Sequence, residues 1–67
     1  MRLMIRVGRN IKRLRRQRRW TQQSLADRVG IHQVYVAQIV GAVKELSLEM
    51  LGRVARALRV RPGRLLD

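Results

Sequence analysis

Apolar residues in this chain recur at intervals of three and four, and nowhere alternate with polar ones over the length of a strand. That spacing lines one face of a helix and cannot line one face of a strand, so it restricts the chain to an all-α fold. Val7, Ile11 and Leu14 form the first stripe, over a helix expected at residues 7–18, with Met4 continuing it one turn back. Leu25, Ala26 and Val29 form the second, over about 22–28, where Thr21 suits the N-cap and Gly30 the left-handed residue after the end. Tyr35, Val36, Ile39 and Val40 mark a third helix over 32–40. Leu48, Leu51, Val54, Ala55 and Leu58 mark a fourth, with Ser47 as its cap and Glu49 in its positive first turn. Pro62 suits a first helical position, so residues 62–66 are expected to form a last short helix, the fifth. Gly30, Gly41, Gly52 and Gly63 stand 11 residues apart, but their flanking residues do not repeat, and the interval is read as coincidence.

A chain of 67 residues supports one domain, read here as spanning residues 1–67, with a single core. It has no cysteine, so neither a disulfide nor a thiolate zinc site is available. One histidine, His32, and four carboxylates, Asp27, Glu45, Glu49 and Asp67, leave little material for a metal site or an acid–base pair. Ser24, Ser47 and His32 show no nucleophile–base arrangement. No enzyme, cofactor, metal or small-molecule ligand is therefore expected. No apolar run approaches the roughly 18–20 residues that cross a bilayer, and the opening MRLMIRV is charged where a secretory signal is apolar. The expected location is the cytoplasm, in association with the nucleoid.

The net charge is +12, and its distribution says more than its total. Residues 1–20 carry nine Lys or Arg and no acid, residues 21–50 are close to neutral, and residues 51–67 carry five Arg against Asp67. With 46% hydrophobic residues at helical spacing, the charge decorates a folded object and does not form a disordered tail. A strongly basic fold points to a polyanionic partner.

Two short helices meeting at Gly30-Ile31 make a helix–turn–helix candidate at about residues 21–40. In that motif the second helix is anchored on one side and presents the other to the major groove. Val36 and Ile39 can anchor it, while Gln33 and Gln38 face outward. A glutamine amide presents a donor and an acceptor in one plane, which matches the adenine N6/N7 edge, and Val34 can meet a thymine methyl. Trp20 is expected in the core, and Arg53, Arg56 and Arg59 are read as a solvated face.

The run GRNIKRLRRQRRWTQQSLADRVGIHQVYVAQI resembles the Cro and lambda-repressor type of helix–turn–helix domain, and SLEMLGRVARALRVRPGRLL is similar to that family's last two helices. The likeness covers roughly residues 7–66 without a gap. It implies a compact five-helix lambda-repressor-like domain that reads duplex DNA. It also implies roles by position. Gln33, Val34 and Gln38 match the base-reading positions. Gln22 matches a glutamine that bonds a phosphate and braces Gln33. Thr21 and Arg15 match backbone-contacting positions, and Lys44 lies in the loop that follows the phosphates. His32 is read as a cap or phosphate neighbour. The family commonly carries Glu-x-Gly after the conserved Ile, where this chain has Val40-Gly41-Ala42-Val43, and it often has basic residues or Pro before the fourth helix, where this chain has Glu45-Leu46. Backbone contact is accordingly expected to shift toward the first helix.

The expected function is sequence-specific transcriptional regulation by a homodimer on a palindromic operator. The dimer surface is expected at residues 61–67, through Pro62, Leu65 and Leu66. The alternative is an antitoxin or protein-docking module on the same fold, with the apolar 40–43 loop as its partner surface. A membrane-active peptide built on residues 1–20 is disfavoured, because its apolar stripe is narrow.

Overall fold

A computed structural model describes residues 2–67 and bears out the all-helical reading, with no strand among the described residues. The elements are α1 (Arg2–Gln17), α2 (Gln22–Val29), α3 (Gln33–Val40), α4 (Leu48–Leu58) and a closing 3-10 turn (Pro62–Leu66). The four apolar stripes converge on one core, in which Ile11, Leu14, Leu25, Ile39, Leu58 and Leu65 are almost wholly buried. Met4 is buried as well, so α1 begins five residues before the expected start.

The expected fifth α-helix is a 3-10 turn instead. Its residues are too few to form more than one nucleating turn. Arg64 closes an i→i+3 bond to the Arg61 carbonyl at 2.9 Å. The Leu65 carbonyl is taken by Asn10, whose Nδ2 donates to it at 3.0 Å and to the Asp67 carbonyl at 3.3 Å. Asn10 is thereby the one buried polar side chain of the described residues, and it fastens α1 to the chain's last turn.

All four α-helices end by one device. The first residue after the helix (α2, α4) or the second (α1, α3) adopts a left-handed backbone, and the next N–H reaches back to a carbonyl five residues earlier, as in the Schellman motif. The left-handed residues are Arg19, Gly30, Ala42 and Arg59, with φ of 58°, 85°, 60° and 59°. The returning bonds run from Trp20 to Arg15 (3.0 Å), Ile31 to Ala26 (3.0 Å), Val43 to Gln38 (2.9 Å) and Val60 to Ala55 (3.0 Å). Glycine serves this position once. The donor is apolar every time, which is the residue type this cap favours because it packs back on the helix it closes. Trp20, Ile31 and Val60 do pack against the core.

Trp20 is nonetheless a rim residue and not the core ring expected. One side packs on the core, and the Arg28 guanidinium lies over the ring at 4.1 Å from its centroid. α1 crosses α3 at Gly8, where a Cβ would lie 2.7 Å from the carbonyl oxygens of both Ile39 and Val40. Glycine is required there by closeness alone.

Candidate nucleic-acid interface

α2 and α3 are joined by a turn of three residues, Gly30 to His32, and each helix start is capped by a side chain. Thr21 Oγ1 accepts from the Ser24 N–H at 3.0 Å. His32 Nδ1 accepts from the Val34 N–H at 3.1 Å. Gly30 supplies the left-handed turn without a Cβ, and Arg53 of α4 closes the corner by donating from Nη2 to the Val29 carbonyl at 2.9 Å. The expected solvated face of α4 is therefore partly used to brace this turn.

α3 sits with Val36 and Ile39 in the core, both 2% exposed. Its opposite face turns to solvent. Gln33, Val34 and Ala37 are exposed and Gln38 is half-buried. Ala37 belongs to this face although sequence reasoning passed over it. Its signal was its position four residues after Gln33 and three after Val34. A methyl at that place lets a base edge approach the helix closely and can itself meet a thymine methyl. No charged residue lies between Gln33 and Val40, so the face carries hydrogen-bonding and apolar groups only.

The flanks differ in what they offer. Gln22 is half-buried in the first turn of α2, and Thr21 is exposed beside it. Lys44 is exposed, with Nζ 5.2 Å from the centroid of Tyr35 on α3, so the loop cation is held at the side of that helix. Arg15 is half-buried and partly engaged within the fold. Its Nη1 donates to the Trp20 carbonyl at 2.6 Å and its Nε is buried without a partner, so the side chain serves the turn between α1 and α2. Asp27, the acid of α2, accepts from Gln23 Nε2 at 2.8 Å.

Two further expectations are corrected by burial. Leu65 is 0% exposed and belongs to the protomer's own core, so it is not available to a dimer surface. Pro62 and Leu66 remain exposed. The apolar 40–43 loop reduces to Val43, because Val40 packs against the core and Ala42 is partly covered. A more extensive apolar groove lies elsewhere, lined by Leu3, Val7, Leu46, Leu48, Leu51 and Leu66. Among the described residues no group of acids and histidine is arranged to hold a metal, and no helix is long and apolar enough to cross a membrane.

A family profile described as Helix-turn-helix matches residues 11–65. The chain superposes on a hypothetical transcription factor, NHTF, from Neisseria with a TM-score of 0.94 and 26% identity, covering 97% of this chain and 75% of that one. The restriction–modification controller protein C.AhdI from Aeromonas hydrophila gives 0.89 at 26% identity, over 92% of this chain and 94% of its own. SinR, a master regulator for biofilm formation solved in complex with DNA, gives 0.85 at 27% identity, over 91% and 98%. A search of curated protein sequences returns no match.

Proposed function

The chain belongs to the helix-turn-helix family, in its XRE-type form of DNA-binding transcriptional regulators, and from that premise we propose that it reads a palindromic operator as a homodimer. The observation that carries the reading is the outward face of α3. Gln33, Val34 and Ala37 project from the first turn and a half of a helix whose other side is locked by Val36 and Ile39. Such a helix enters the major groove by its N-terminal end. Gln33 and Gln38 read base edges by hydrogen bonds, and Val34 meets a methyl. Thr21, Gln22, His32 and Lys44 flank that face and take the phosphates, which fix register without reading sequence.

Pairing is best supported at the apolar groove. Leu3, Leu48 and Leu66 are 56%, 87% and 39% exposed there. Three of the chain's four acids, Glu45, Glu49 and Asp67, are sequence neighbours of its lining residues Leu46, Leu48 and Leu66. In a chain of net charge +12 these acids offset part of the local positive charge, which lowers the repulsion of a second copy there. A two-fold pair presents half-sites about one helical turn, roughly 34–36 Å, apart.

Selection of bound duplexes from a random pool tests the reading. The expected product is a palindrome whose half-sites contain A·T pairs. Enrichment of no sequence, or of a single unrepeated element, overturns it.

A further inference from the structure

Five arginines of α1, Arg2, Arg6, Arg9, Arg13 and Arg16, follow one another at steps of four, three, four and three. They form a straight stripe, with Lys12 beside it, and all six side chains are exposed. The buried face of the same helix is Met4, Val7, Gly8, Ile11 and Leu14, so the stripe looks directly away from the core. From Arg2 to Arg16 it runs roughly 21 Å at ~1.5 Å per residue, which is the rise of about six base pairs.

The stripe works against its own helix. α1 contains no acid, so each neighbour at i+3 or i+4 along the stripe is of like sign and repels. Arg2 also lies in the first turn, at the positive end of the helix dipole, with no acid there to offset it. Helix formation here depends on packing of the opposite face, and the stripe is relieved only by an external anion. Arg9, Lys12, Arg13 and Arg16 border one shallow depression, and Arg2, Arg6 and Arg9 border the next. Guanidinium groups so spaced offer planar forks to successive phosphate oxygens.

This surface is not the one that reads bases. α1 touches α3 through Gly8, against the carbonyls of Ile39 and Val40 at the last turn of α3, whereas Gln33, Val34 and Ala37 leave the first turn and a half on its outward face. We propose that the arginine stripe of α1 is a second duplex-binding site, taking the phosphate backbone of a DNA segment other than the one seated on α3. The proposal rests on the reading of α3 as the base-reading face. It makes the protein a bridge between two duplex segments, one read by sequence and one held by charge.

The test is a titration of isotopically labelled protein with a short duplex of mixed sequence at low salt, followed by nuclear magnetic resonance. The side-chain amides of Gln33 and Gln38 are expected to finish shifting within the first equivalent. The Nε–H signals of Arg6, Arg9, Arg13 and Arg16 continue to shift through the second. The variant with Arg6→Gln, Arg9→Gln, Arg13→Gln and Arg16→Gln keeps the first phase and loses the second. Loss of four phosphate contacts removes a salt-dependence slope of roughly three to four from that phase. Stripe signals that stay still, or that move only together with the glutamines, overturn the proposal. A stripe that responds to phosphatidylglycerol vesicles and not to duplex also overturns it. Glutamines that stay still while the stripe shifts overturn the reading of α3 and uphold the stripe as a duplex site.

Discussion

The guanidinium of Arg18 donates to the Leu58 carbonyl at 2.6 Å, joining the ends of α1 and α4 across 40 residues of sequence. Its other terminal nitrogen donates to the Leu14 carbonyl at 2.8 Å, so one cation closes two helix C-termini at once. A positive group at these negative helix ends is favoured by the dipole as well as by the bonds. Arg18→Met keeps the apolar stem and removes both bonds. The expected loss is about 1.5–3 kcal/mol, read as a lower midpoint in urea unfolding with an unchanged slope. A midpoint equal to that of the native chain would show that the bonds contribute nothing net.

Gly8 and Gly52 should respond to alanine in opposite directions. Both lie within helices, where alanine is intrinsically better by up to about 1 kcal/mol. At Gly52 nothing lies within 4 Å of the added methyl, so Gly52→Ala is expected to raise the melting temperature. At Gly8 the methyl would stand 2.7 Å from two backbone oxygens, and α1 must move off α3. Overpacking of that kind costs about 1–3 kcal/mol, which outweighs the propensity gain. Thermal unfolding of the two variants side by side checks the sign of each.

Asn10 is 4% exposed, and its amide bonds the carbonyls of Leu65 and Asp67. Asn10→Ala leaves buried acceptors unpaired and is expected to cost about 1–3 kcal/mol. Asn10→Asp keeps the shape but replaces the donor with an anion facing two carbonyl oxygens, and should cost more at neutral pH than the alanine. Urea midpoints in the order native, Ala, Asp support this account, and an aspartate variant as stable as the native chain contradicts it.

Gln33 and Lys44 separate reading from holding. Gln33→Ala is expected to reduce discrimination at one base pair of each half-site by about 1–3 kcal/mol while leaving the salt dependence unchanged. Lys44→Gln should weaken all duplexes about equally and reduce the slope of log affinity against log salt by roughly 1. Competition binding against single-base variants of the selected site, repeated over a salt series, distinguishes the two effects.

Much of this molecule could be read along the chain. The stripes led by Val7, Leu25, Val36 and Leu51 placed four helices within a few residues of their ends, because three-to-four spacing is a local property. Thr21 and Ser47 were legible as caps for the same reason, since a cap bonds only two or three residues onward. The left-handed ends at Arg19, Ala42 and Arg59 were not, because nothing in those side chains favours the conformation. What imposes it is the apolar residue that follows, together with the packing of Trp20 and Val60 on the core. The face of α3 was legible as Gln33, Val34 and Gln38, whereas Ala37 carries no chemical signature and joins them only through geometry.

The sequence by itself determined the helices, their apolar faces and the glycine at the turn between α2 and α3, all of which depend on residues within about one turn of each other. Tertiary structure alone decided how distant groups are used. It took Leu65 into the core, gave its carbonyl to Asn10 55 residues away, and turned Arg15 onto the turn after α1 and Arg18 onto two helix ends while leaving the other face of α1 unpartnered. Arginines of one helix look alike in sequence. Which of them meets a carbonyl and which meets solvent follows from the docking of four helices, because a donor is spent inside only where packing brings it an acceptor.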